Sequence, residues 1–399
     1  MSDAQRLFNA LYAAMPGILD QPLNPALAAA KTTSPDSSVS GAHMPLDLFS
    51  PLNLGALALP NRILMAPLTR TRAGTTHIPN DLMVEYYSQR AGAGLIFTEC
   101  TLISPDASAY LGEGGLFDEA TQAGWMRVTE AVHAKGGRIF MQVWHAGRAA
   151  HSDINGVQPI SSSNKPIRND LTHTPKGKVP YETPRPLRTE EIPGIVELFR
   201  QSAIRAKAAG FDGIQIHGAH GDLVDQFLRD SVNDRSDQYG GSIENRARLL
   251  LEIVDATASV LGADRVGVRI SPLVAFNDMA ESQPKELVEY VAKELQKRGV
   301  GHLELRHEQW DQPAELELAK IAREHYKGAL LLNGGFDADS GHAAIREGRA
   351  DAIVYGKAFL ANPDLVQRFA KKAALNAVDF TTLYSPGGKG YTDYPTLAA

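Results

Sequence analysis

EIPGIVELFRQSAIRAKAAGFDGIQIHGAHGD, residues 191–222, carries two periods in succession. From Glu191 to Ala209 apolar residues recur at three- and four-residue spacing, the stripe of a helix with one buried face. From Asp212 to His217 the spacing is lost and a short apolar run follows, as a strand buried on both sides requires. The turn His217-Gly218-Ala219-His220-Gly221-Asp222 then places polar side chains at the strand's C-terminal end.

The same unit recurs on either side. Strand-like runs stand at Arg62–Ala66, Leu95–Glu99 and Arg138–Trp144 before it. Val266–Ile270, His302–Leu305, Ala329–Asn333 and Asp351–Tyr355 follow, with helical stretches such as Pro284–Arg298 between. Eight strand–helix units with no break for a second domain predict a (β/α)8 TIM barrel, α/β in class. A doubly wound open sheet is the alternative. It would need a glycine-rich turn after the first strand, and Met65-Ala66-Pro67-Leu68-Thr69-Arg70 supplies none. The insert over 147–188, rich in Pro, Ser and Asn, follows the third strand, where it would either cover the barrel mouth or be a plain surface excursion.

Bulk properties narrow the function. The 399 residues are 43% hydrophobic and 22% charged, ordinary for a soluble protein with a large core. The net charge of −6 is spread along the chain without a basic stripe, which argues against a nucleic-acid partner. Apolar runs are strand-sized, far short of the roughly 20 residues that cross a bilayer. One cysteine, Cys100, allows neither an intrachain disulfide nor a cysteine metal cage, and a cytoplasmic location is expected. Residues 21–43 are rich in Ala, Ser, Thr and Pro and read as a disordered linker, and GAHM at 41–44 resembles a cloning scar. The expected division is a flexible N-terminal extension over 1–43 and the barrel over 44–399.

Barrel chemistry sits at the C-terminal strand ends. There, Asn333, Gly334, Gly335 and Gly356 offer backbone N–H groups to an anion and Lys357 offers charge. A helix from Ala338 would aim its positive end at the same place; equally, the glycines could simply cap turns. His217 and His220 form an HxxH pair. Two neutral imidazoles can polarise one carbonyl oxygen, or join Asp222 or Glu99 around a metal, or be capped turn residues. Arg269, on a buried strand, needs an anionic or carbonyl-rich partner, a need that a bound cofactor would meet.

Together these strand ends resemble the old yellow enzyme family. The matching segments are NRILMAPLTR (61–70), LIFTE (95–99), QVWHAGR (142–148) and PRPLRTEEI (184–192). AAGFDGIQIHGAHG (208–221), DQFLRDSVNDRSDQYGGSIENRARLL (225–250), VRISP (268–272), ANPDLV (361–366) and GYTDYP (390–395) continue the match in collinear order. The resemblance implies an FMN held non-covalently across the mouth and NADPH (or NADH) as hydride donor. It implies electron-poor alkenes as substrates: α,β-unsaturated carbonyls, maleimides and nitroalkenes. Ala66, Pro67, Leu68 and Thr69 match the segment along the flavin, Gln142 and Arg269 its edge partners, and Gly335, Gly356 and Lys357 the phosphate loops. The family usually has Arg where Lys357 stands. His217 and His220 match the pair that grips the substrate oxygen, and Trp144, Tyr110, Phe276 and Tyr384 the aromatic rim. Cys100 takes a position beside the flavin.

One residue departs from the pattern. Asp222 stands where the family has a tyrosine proton donor. With an ordinary pKa of about 3.9 it could not donate at neutral pH, so solvent is the expected proton source unless burial keeps Asp222 protonated. Two rival readings stay open: a metal-dependent barrel hydrolase or lyase, and a flavin-binding protein with little turnover. Monomer and homo-oligomer are both compatible with the sequence.

Overall fold

A computed structural model describes residues 46–398; the expectations for residues 1–43 lie outside the described residues. Eight parallel strands close into a barrel: β1 (Ile63–Met65), β2 (Ile96–Phe97), β3 (Ile139–Trp144) and β4 (Gly213–Gly218), then β5 (Val266–Ile270), β6 (His302–Arg306), β7 (Ala329–Asn333) and β8 (Ala352–Tyr355). Closure is direct. Ile353 pairs with Ile63 across β8 and β1, and Gly213 with Phe140 across β4 and β3.

Each strand is followed by a barrel helix: α1 (Asp81–Gln89), α2 (Glu119–Ala134), α3 (Ile192–Ala208), α4 (Ile243–Leu261), α5 (Pro284–Arg298), α6 (Pro313–His325), α7 (Ala338–Arg346) and α8 (Leu365–Lys371), with shorter helices at Ser152–Asn155, Leu223–Leu228 and Lys357–Ala361 in the loops. On α3 the predicted stripe is the buried face, with Ile192, Ile195, Phe199, Ser202, Ala203 and Ala206 turned inward. Proline near the first turn of α3, α5 and α6 has a fixed φ suited to a helix start, where its missing N–H costs nothing.

Strand alternation sorts the side chains into two cores. Outward residues such as Ile63, Met65, Ile139, Met141, Ile214, Val268 and Leu303 pack against the helices. Inward residues Leu64, Leu95, Phe97, Phe140, Leu331 and Val354 fill the barrel floor. The hairpin Leu52–Leu54/Leu57–Leu59 seals that floor by adding Leu54 and Leu59 to the inner cluster. Gly267 on β5 is required by this packing, because a Cβ there would lie 1.8 Å from the His302 imidazole.

The insert is more ordered than its composition predicts. It holds an antiparallel hairpin, Leu171–Thr174 with Gly177–Pro180, and a short parallel pair, Ile160–Ser161 with Arg185–Pro186. Among the described residues no helix is long and apolar enough to cross a membrane.

Candidate active site

Two residues above the floor, the inward side chains turn polar and link into a belt. Cys100 Sγ donates to Gln142 Oε1 at 3.2 Å, and Gln142 Nε2 donates to Gln215 Oε1 at 2.7 Å. Gln215 Nε2 donates to Glu304 Oε2 at 2.8 Å, and Glu304 Oε1 accepts from Arg269 Nε at 2.8 Å. Arg269 Nη2 donates to Asn333 Oδ1 at 3.0 Å, and Asn333 Nδ2 to the Val354 carbonyl at 2.7 Å. Residues from β3 to β8 are thus joined in one chain that starts just beyond β2.

The belt corrects the reading of Arg269. Its guanidinium is buried, as expected, but the anion it requires is Glu304 on the adjacent strand, so a cofactor is not needed to neutralise it. Such a pair survives burial because every charge has a hydrogen-bonded partner. Cys100 lies in a desolvated position that pushes its thiol pKa up, with Asp222 adding to the effect and Thr69 and Arg269 opposing it.

The HxxH pair stands above the belt. The His217 and His220 rings are 5.6 Å apart between centroids and tilted by 37°. Burial drives the His217 pKa down to about 3, with Arg269 adding to the effect, and the same two causes lower His220. Both imidazoles are therefore neutral at pH 7. His217 Nδ1 and His220 Nε2 are buried without a protein partner.

His217 Nε2 lies 3.1 Å from Asp222 Oδ2. With His217 held neutral, this contact is not an ion pair. Burial raises the Asp222 pKa well above the ordinary carboxylate range. The Trp144 indole side chain counters the shift.

Of the aromatic side chains expected at the rim, two pairs meet neighbours. Tyr110 stacks parallel to Trp144 at 6.3 Å, and Phe276 meets His220 edge-on at 6.4 Å. The Tyr384 carbonyl accepts from Thr71 Oγ1 at 3.2 Å, which ties its loop to the end of β1. Tyr181, missed from the sequence, joins them at the end of the insert hairpin. Burial pushes its pKa up to about 12, with Asp170 and Asp222 adding to the effect, so its hydroxyl shares the field of the site. Arg306 was missed too; it extends β6 by one residue and adds positive potential at Arg269 and His220. Neither position carries a sequence period that would single it out.

At the glycine pocket the contributions differ by residue. Gly334 (φ 132°) and Gly335 (φ 75°) adopt conformations that favour glycine, and added Cβ atoms would meet the His307 carbonyl at 2.3 Å and Gln309 Oε1 at 2.4 Å. Gly356, by contrast, has only Leu68 and Ala66 near its Cβ position, at 3.7 and 3.8 Å. Lys357 opens a short helix, Lys357–Ala361. The first turn of α7 is capped by Asp337, whose Oδ1 accepts from Ser340 N at 2.8 Å. That N–H is therefore committed to its own cap rather than to an external anion.

Of the two carboxylates weighed for a metal, Asp222 lies against His217 and Glu99 turns to the loop after β1. Glu99 Oε2 accepts from Arg70 N at 3.2 Å on the loop after β1. Among the described residues no group of three or more His, Cys, Asp or Glu side chains is disposed to hold a metal ion.

Comparison with known proteins decides the lineage. The profile of the NADH:flavin oxidoreductase / NADH oxidase family matches residues 47–376. The chain belongs to the old yellow enzyme family. It is 43% identical over 366 residues to a Leishmania infantum protein named as a probable flavin mononucleotide-dependent alkene reductase, covering 90% of this chain and 100% of that one. To 12-oxophytodienoate reductase 1 of Oryza sativa subsp. japonica it is 42% identical over 375 residues, 91% of this chain and 96% of that one. Among solved structures, morphinone reductase in complex with tetrahydroNAD superposes with a TM-score of 0.85 at 45% identity, covering 88% of this chain and 98% of that one. The old yellow enzyme homologue from Zymomonas mobilis gives 0.86 at 41% identity, covering 88% and 100%. Membership in the old yellow enzyme family makes this protein a flavin-dependent oxidoreductase of the alkene-reductase type, with FMN and a nicotinamide hydride donor as its redox partners.

Proposed function

We propose that this old yellow enzyme reduces the C=C bond of α,β-unsaturated carbonyls, maleimides or nitroalkenes at the expense of NADPH or NADH, in the cytoplasm. The observation that carries the reading is the pair of neutral, buried imidazoles, His217 and His220, each with a ring nitrogen lacking a protein partner. Neutral donors aimed at a carbonyl or nitro oxygen stabilise the negative charge that grows there as the alkene is reduced.

The mouth also fits a flat phosphorylated ring. Gly356 leaves its Cβ side open, Gly334 and Gly335 bring backbone close, and Lys357 supplies charge. Ala66, Pro67, Leu68 and Thr69 would lie along the ring, with Gln142, Arg269 and Asn333 at its polar edge and Cys100 beside it. When bound, FMN supplies the two-electron store that links nicotinamide to alkene. Trp144, Tyr110, Phe276 and Tyr384 would restrict how the alkene lies in the mouth and exclude water around it.

The proton follows from Asp222. Burial keeps its carboxyl protonated well above the usual range. It is therefore an acid placed beside the oxygen-holding His217, and it replaces solvent as our preferred donor to the α-carbon. The decisive experiment is anaerobic NADPH oxidation by the FMN-loaded protein, with and without cyclohex-2-enone, and identification of cyclohexanone as product. Oxidation that never responds to the enone would end this reading.

A further inference from the structure

We propose that Asn277 is a positioning residue that fixes His220 and couples it to the docked insert. The proposal rests on the reading of His220 as a holder of substrate oxygen.

His220 sits at φ 58°, the left-handed region that a residue with a Cβ enters only where its surroundings over-determine it. Two hydrogen bonds do so, one on each side of its peptide backbone. Its N–H donates to Ser271 Oγ at 2.8 Å, and its carbonyl accepts from Asn277 Nδ2 at 2.9 Å. The approach is tight: a Cβ on the next residue, Gly221, would lie 2.7 Å from Asn277 Cβ. The clamp is itself held in an unusual shape, because Asn277 and Asp278 are both left-handed, at φ 60° and 56°. Asn277 is buried, and its Oδ1 has no partner.

Two fasteners join this loop to the insert. Arg148, almost fully buried, donates from Nη2 to the Asn277 carbonyl at 2.6 Å and from Nη1 to the Lys165 carbonyl at 2.9 Å. Asp278 Oδ2 accepts the backbone N–H groups of Arg168 and Asn169, the latter at 3.1 Å. A continuous path therefore runs from the insert through Arg148 and Asp278 to Asn277, and from Asn277 to the His220 backbone. His220 Nε2, the nitrogen left unpartnered, is aimed by that backbone. Small displacements of a group that grips a reacting molecule carry large rate penalties, so the insert sets the grip without touching the substrate oxygen.

The test uses the FMN-loaded protein and three variants. Asn277→Gly keeps the left-handed backbone accessible and removes the amide. Asn277→Asp keeps the size and replaces the donor with an acceptor, which guards against misfolding of the glycine variant. Asp278→Asn weakens the tie to the insert. Hydrogen exchange resolved over residues 165–171 and 217–222 is measured together with steady-state kinetics on cyclohex-2-enone. Both Asn277 variants should speed exchange at the His220 amide about tenfold. They should also lower kcat and kcat/KM for the enone together, about tenfold, the pattern of an interaction that strengthens in the transition state. Asp278→Asn should speed exchange at Arg168 and Asn169, and the His220 amide should follow.

Unchanged His220 exchange and unchanged kcat in both Asn277 variants would overturn the clamp. Freed insert amides with an undisturbed His220 in Asp278→Asn would overturn the coupling. Should the parent protein not reduce the enone while His220 exchange still depends on Asn277, the proposed reaction fails and the clamp stands.

Discussion

At the floor of the barrel the inward side chains are Leu64, Phe97, Phe140, Leu331 and Val354, sealed by Leu54 and Leu59. Two residues further along the same strands, Phe140 gives way to Gln142, Leu331 to Asn333 and His302 to Glu304, while Gly267 gives way to Arg269. Most of the belt is buried as the floor is, only Cys100 and Asn333 being half-buried, so burial alone does not distinguish the layers. They differ in what a missing atom costs. The floor loses contacts and gains a cavity; the belt loses a hydrogen-bond partner and exposes an uncompensated charge to a dry interior. The floor supports the fold, and the belt fixes the polar edge on which the proposed chemistry depends.

The most severe break in this contrast is Arg269→Ala. It strands Glu304 without its cation, and a loss of about 3–5 kcal/mol in chemical denaturation is expected, together with loss of yellow colour on desalting. Phe140→Ala on the floor should cost about 3–4 kcal/mol by the same denaturation assay. Here, however, bound FMN absorbance should persist, because Phe140 packs on Phe97 well below the mouth. Loss of flavin in Phe140→Ala would erase the distinction between the layers.

Asp222 sharpens the contrast through pH. Its folded pKa is raised, so the protonated form prevails at low pH and the proton is lost as pH climbs through the elevated value. Enone reduction should therefore fall on the alkaline side. Folding stability should decline from about pH 4, where the unfolded carboxyl titrates, up to that elevated value and level off above it, since charging a buried carboxyl is unfavourable. Asp222→Asn should flatten both profiles and lower the acid-side rate by about a hundredfold, the low end of general-acid effects. A variant that keeps the parent pH profile would remove Asp222 from the proton path. The smallest effect belongs to Cys100→Ser. A hydroxyl can still donate to Gln142 Oε1, so a stability change under about 1 kcal/mol is expected, and the parent thiol should resist alkylation at pH 8 until the protein unfolds.

The fold was largely legible in the sequence because a barrel of this kind writes itself in local periods. Val266–Ile270, Ala329–Asn333 and the helix Pro284–Arg298 match the structure end to end. Arg62–Ala66 and Leu95–Glu99 shrink to three and two residues. The site was legible at the strand ends, where His217, His220, Asn333 and Gly356 stand in polar turns. It was not legible where a partner comes from a distant segment. Glu304 sits in a run that reads as an ordinary strand, and nothing local says that it faces Arg269. Asn277 and Tyr181 reach the histidines and Asp222 from loops with no period. The raised pKa of Asp222 is likewise a property of its enclosure, which no single stretch of chain records.

The sealed floor has a practical consequence. Leu46–Ser50 run into the sealing hairpin, with the Leu48 carbonyl accepting from Arg62 N at the start of β1. The described chain therefore enters on the side away from the histidines. A bead, electrode or second catalyst tethered at Leu46 would leave the reactive opening facing solution, so anchoring at that position should preserve turnover.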